Sequence, residues 1–243
     1  MSTLVGIDTS LALTSVVRGT NLTVQAVATA WLGRAPDFYL RPTGYGGGAA
    51  VPVTAAEIAA AVLVAPLARF AGYFNDSPLS TLNPPVGTEA QGRADAAAAR
   101  QQLTWIGFPA TCPVMIDLEH WHVVTAAYIA GVAAVEPTAI VYGTQQTCAL
   151  ARAGGLRSWL SSWGPQQDYA NAAAMSVPWG ATMWQCSGDA FSGIADEDVT
   201  SAAVVASFWD GRPAAASGPS VASLEAVLAR IASLAQSSWR LPS

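Results

Sequence analysis

The chain has 243 residues, enough for one large α/β domain or one domain with a short appendage. Hydrophobic residues make up 52% of it and charged residues 11%, which excludes a disordered chain and supplies a large core. The formal net charge is −5 and the eleven basic residues form no run, which argues against a nucleic-acid groove.

Taken in chain order, short apolar runs alternate with longer Ala-rich stretches, the pattern of α/β architecture. Leu4–Asp8 reads as the first strand, reached without a basic leader or long apolar run, so no signal peptide is expected. Thr23–Leu32 has helical spacing, with Asn21 as the expected N-cap. Asp37–Arg41 reads as the second strand. Thr54-Ala-Ala-Glu57 has the form of a capping box and opens a helix running to about residue 64. Arg69–Asn75 is the third strand. A Pro/Gly/Asn-rich loop, Asp76–Gly87, precedes a long helix over Thr88–Trp105. Val114–Leu118 is a fourth strand, apolar as a strand buried on both faces should be. A helix over Thr125–Val135, a strand over Ala139–Tyr142 and a helix over Gln145–Ala153 follow.

Beyond Gly154-Gly155 the pattern changes. Ser158–Trp163, Ala181–Cys186 and Ala195–Val199 read as strands with no full helices between them. The expected fold is therefore an α/β barrel of the TIM type whose last third is all strand, occupying residues 1–209. Residues 210–220 are rich in Gly, Pro, Ala and Ser and read as a linker. In 221–243, Leu224, Val227, Leu228, Ile231 and Leu234 share one helical face, which suits a C-terminal helix docked on the barrel or a short coiled-coil contact. No stretch of about 18 residues lacks polar interruption, so no membrane-spanning helix is expected.

Asp117-Leu118-Glu119 ends an apolar strand, and residues two apart point to the same side. Two acids would be costly deep in a barrel core but not at the C-terminal rim, where barrel enzymes carry their chemistry. Asp8, at the end of the first strand, should reach the same rim, with Asp196 or Asp198 from the last. Clustered carboxylates suit glycoside hydrolysis, in which one protonates the leaving oxygen and another stabilises or attacks the sugar cation. Strand-end acids can equally cap helices and bind loop amides. Trp121, Tyr142, Trp163 and Trp184 fall at or just past strand ends, where aromatic faces could stack on sugars or simply fill the core. His120 and His122 are the chain's two histidines, too few for a typical zinc set, and no metal or cofactor is expected. Gly46-Gly47-Gly48 lacks the Lys and Ser/Thr of a phosphate loop and reads as a surface turn. Cys112, Cys148 and Cys186 are too scattered for a disulfide framework and read as buried free thiols.

Gly6-Ile7-Asp8, Ile116-Asp117-Leu118-Glu119, Tyr142-Gly143, Trp159–Trp163, Trp184-Gln185 and Gly193-Ile194-Ala195-Asp196 stand in an order that resembles the lysozymes of glycoside hydrolase family 25. Phe38-Tyr39-Leu40-Arg41-Pro42, Thr54–Glu57 and Gly87–Gly107 with Asp95-Ala96 resemble more closely a related glycoside-hydrolase-like family of actinobacteria and their phages. An Ala-rich chain without lysine agrees with such a high-GC origin. The resemblance covers about residues 4–205 and implies a (β/α)5β3 barrel. It casts Glu119 as general acid, with Asp117, Asp8 and Asp196 completing the catalytic set. Trp121, Tyr142, Trp163, Trp184, Gln185 and Arg41 would then line the substrate. The implied target is the glycan of peptidoglycan, cut without metal or cofactor. Asp196-Glu197-Asp198 stands where that family often has Asp-x-Asn, leaving the register of the last acid open. The competing expectation is a carbohydrate-binding or structural module without turnover, such as a phage minor tail protein. In that case the C-terminal helix would be a virion or self-association contact. The expected location is the virion or the cell wall in a phage context, otherwise the cytoplasm.

Overall fold

The computed structural model describes residues 3–44, 52–75, 87–118, 124–161, 177–187 and 194–212. The chain divides into two compact units, Met1–Gly211 and Arg212–Ser243. Of the second, only Arg212 is among the described residues, so the expected C-terminal helix lies outside them, as do most of the expected linker and the Gly46–Gly48 turn.

The first unit is a closed eight-stranded barrel with the strands in sequence order. Its elements are β1 (Thr3–Asp8), α1 (Val24–Leu32), β2 (Phe38–Pro42), α2 (Ala55–Val64), β3 (Arg69–Asn75), α3 (Glu89–Ile106), β4 (Met115–Asp117), α4 (Ala126–Val135), β5 (Ile140–Gly143), α5 (Gln145–Ala153), β6 (Arg157–Ser161), β7 (Met183–Ser187), β8 (Asp196–Ser201) and the short α6 (Ala202–Val205). β1 to β7 pair in parallel, whereas β8 runs antiparallel to both β7 and β1. This is the (β/α)-barrel of TIM type that the sequence pattern implies; residues 162–176 and 188–193, between the last three strands, lie outside the described residues. The direction of β8 is not legible in that pattern.

Among the described residues, each of the five longer helices opens on a threonine. Thr23, Thr54, Thr88, Thr125 and Thr144 accept from the backbone N–H of Ala26, Glu57, Gln91, Tyr128 and Thr147. Each such cap satisfies an orphan donor and is worth about 1 kcal/mol. The first cap is Thr23, not Asn21, because the helix starts at Val24, directly after it. Thr54 makes its half of the capping box, at 3.1 Å to the Glu57 N–H. The Glu57 carboxylate instead accepts from Arg41 Nε at 2.7 Å and from the Leu13 N–H at 2.9 Å. That pair joins α2 to β2 with both side chains nearly out of solvent.

α3 and α4 touch backbone to backbone. A Cβ on Gly92 would stand 2.1 Å from the Tyr128 carbonyl oxygen, and one on Gly131 2.1 Å from that of Glu89. Arg100 clasps Glu136 with two bonds of 2.8 and 2.7 Å at the far end of the same helix pair. At the chain end of this unit, Trp209 exchanges both backbone bonds with Phe70, the second residue of β3. The three cysteines are free and buried.

Candidate active site at the barrel rim

The parallel strands end at one rim, and strand alternation decides which of their last residues face inward. Asp8 is the last residue of β1, and Asp117 is the last residue of β4. Because β8 is antiparallel, its first residue arrives there: Asp196 lies directly opposite Asp8, and Asp198 opposite Gly6, one layer deeper. The register thus separates the two acids that the sequence leaves as alternatives.

Gln185 ties the cluster together. Its amide Nε2 donates to Asp8 Oδ2 and to Asp196 Oδ2, each at 3.0 Å. An amide nitrogen has two hydrogens, so each carboxylate receives one. The Gln185 carbonyl in turn accepts from the Tyr142 hydroxyl, which fixes the flip of the amide. Tyr142 lies opposite Asp117 on one side and Trp159 on the other, and its ring centroid is 4.3 Å from that of Trp159. Tyr73 meets Trp159 edge-on at 6.0 Å, completing an aromatic floor under the acids.

The electrostatics follow from this crowding. Burial first, then the charges of Asp198, Asp196 and Asp117, push the Asp8 carboxyl well above the usual range, against the opposing Gln185 hydrogen bond. Asp198 is raised for the same reasons, burial and then Asp196, with the Trp159 hydrogen bond opposing. Burial also raises the Tyr73 phenol, with Asp8 and Asp117 adding to it. An acid that keeps its proton beside ionised ones is the division of labour that acid–base chemistry on a sugar bond requires.

The structure does not bring every expected residue to this cluster. Arg41 alternates to the helix-facing side of β2. There it is held by Glu57 and by the Thr9 carbonyl, and is almost wholly buried. Trp184 faces outward from β7 and packs with Val5, Cys186 and Val199. Glu119, Trp121 and Trp163, with His120 and His122, lie outside the described residues. Among the described residues, no group of three or more His, Cys, Asp or Glu could hold a metal ion. Two participants escaped the sequence reading, Tyr73 and Trp159, and Asp198 stood there only as the alternative to Asp196. Counting back by two from the strand ends would have flagged Tyr73, and counting forward by two from Asp196 does flag Asp198, but only the register shows which face is inward.

No family model matches this chain, and no curated protein matches it. Solved structures do. An uncharacterized protein of B. stearothermophilus superposes with a TM-score of 0.66 at 16% identity, over 85% of this chain and 100% of that one. The Tat-secreted protein Rv2525c of Mycobacterium tuberculosis gives a TM-score of 0.54 at 14% identity, over 81% of this chain and 94% of its own. The modular autolysin LytC of Streptococcus pneumoniae gives 0.50 at 12% identity, over 81% of this chain and 46% of that one. At these identities the likeness is one of fold alone.

Proposed function

We propose that this chain is a muramidase-like hydrolase of the glycan strands of bacterial peptidoglycan. The observation that carries the reading is the meeting of Asp8, Asp117 and Asp196, from three strands distant in sequence, on one inward rim with Gln185 bridging two of them. Such a cluster is costly for folding alone and is what a glycosidic bond needs.

In this reading Glu119, two residues past Asp117, protonates the leaving glycosidic oxygen. Asp117 and the Gln185-linked pair Asp8 and Asp196 orient substrate and stabilise the positive charge that develops on the sugar. Tyr142 keeps Gln185 in register, and Trp121 and Trp163 supply faces for sugar rings. Arg41, locked to Glu57, holds β2 against α2 instead of touching substrate, and Trp184 packs the outer wall. The place of action is the cell wall, reached by export or from a phage particle. A fold shared with a Tat-secreted protein and an autolysin supports that placement.

The test is release of reducing sugar from purified actinobacterial peptidoglycan by the wild-type chain, Glu119→Gln and Asp117→Asn. Loss of the transferable proton in Glu119→Gln should cost roughly 10²–10⁴ in rate. Wild type that binds the glycan without cutting it would make the barrel a recognition module, such as a tail-protein domain. Absence of both cutting and binding would sink the cell-wall reading altogether.

A further inference from the structure

β8 opens with three acids in a row, Asp196, Glu197 and Asp198. Alternation sends the middle one to the outer face and the other two to the barrel interior. Asp198 lies opposite Gly6 on β1 and Gln185 on β7, with no exposed surface. Its Oδ1 accepts from the Trp159 indole Nε1 at 2.7 Å, and its Oδ2 has no hydrogen-bond partner among the described residues.

Such a position tolerates a negative charge badly. A carboxylate removed from water normally requires several donors or a cation. Among the described residues, the groups facing Asp198 supply one neutral donor and further acids: Asp196 and Glu197 on its own strand, Asp8 from β1, the neutral Gln185 from β7 and the neutral Trp159 from β6. Asp117 and the Tyr73 phenol stand beyond Asp8. The guanidinium of Arg41 is committed to Glu57 on the other side of the sheet.

We propose that Asp198 is a positioning residue of the rim, a buried acid pinned by the Trp159 indole that competes with Asp8 for ionisation, so that a charge on either one holds the proton on the other. The indole on Oδ1 fixes the carboxyl plane and leaves the proton to Oδ2. After burial itself, Asp198 is the largest influence raising the Asp8 carboxyl. Interacting acids of this kind titrate as a group, so the state of the deep one sets that of the rim one. An asparagine here would keep the indole hydrogen bond and abolish the competition.

The experiment follows the Asp8 side-chain carboxyl by carbon-13 NMR against pH in wild type, Asp198→Asn and Glu197→Gln. The Asp8 midpoint should move to lower pH in Asp198→Asn and stay in place in Glu197→Gln, whose side chain faces outward. An unmoved Asp8 in folded Asp198→Asn overturns the proposal, and so does an equal movement in Glu197→Gln. Should Asp198→Asn fail to fold, the Trp159 indole resonance of the wild type reports Asp198 directly. Its midpoint should lie above the ordinary carboxylate value of about 4, and a midpoint at that value overturns the proposal. Neither readout needs turnover. Only one consequence rests on the hydrolase reading: the acid limb of the kcat/KM profile should shift to lower pH in Asp198→Asn. An inactive wild type would sink that reading and leave the titration result standing.

Discussion

The barrel treats buried charge in two opposite ways. Between the helices and the outer wall of the barrel, buried and half-buried acids meet arginines: Glu57 with Arg41, Glu136 with Arg100. Around β8, Asp196, Asp198 and Asp8 share a corner where Gln185 and Trp159 provide hydrogen bonds. A paired charge is satisfied and serves the fold, whereas acids crowded on neutral partners hold a protonation equilibrium that chemistry can use. The contrast teaches where to look for function: at the strand whose direction is reversed, not at the arginines.

The comparison can be broken most sharply at the paired end. Arg41→Met leaves the Glu57 carboxylate nearly buried without its cation and should cost about 3–5 kcal/mol in urea unfolding. Arg41→Met with Glu57→Leu should recover most of that loss, and a single variant costing under about 1 kcal/mol would show the pair to be incidental. Next in size is Gly131→Ala, which forces a methyl against the Glu89 carbonyl and should cost about 1–3 kcal/mol. Unchanged stability there would mean that α3 and α4 separate without penalty.

The smallest effect sharpens the β8 side. Burial raises the Glu197 carboxyl from 4.5 to about 7, and neither of its oxygens has a hydrogen-bond partner among the described residues. With the folded value above the unfolded one, its favourable contribution is complete below about pH 4.5 and is lost as pH rises through about 7. Glu197→Gln should therefore melt like wild type at pH 4 and a few degrees higher at pH 8. A constant difference across that range would contradict it.

Most of the barrel could be read from the chain because its signals are local. Apolar runs of strand length, Ala-rich helical stretches and Thr54 and Thr125 at helix starts each depend on neighbours within a turn or two. Asn21 misled because any short polar residue can cap, and the choice falls to the one where the helix dihedrals begin. The candidate site was legible in part for the same reason. Asp8 and Asp117 end their strands, and a strand end is visible in sequence.

Arg41 and Trp184 show where that reasoning stops. Period-two alternation groups residues by face but does not say which face is inside, and both point outward. The placement of Asp196 opposite Asp8 and of Asp198 one layer deeper, the bridge made by Gln185, and the packing of Tyr73 on Trp159 were decided in three dimensions. They depend on an antiparallel β8 closing against β1, a pairing between residues almost two hundred positions apart that no local pattern encodes.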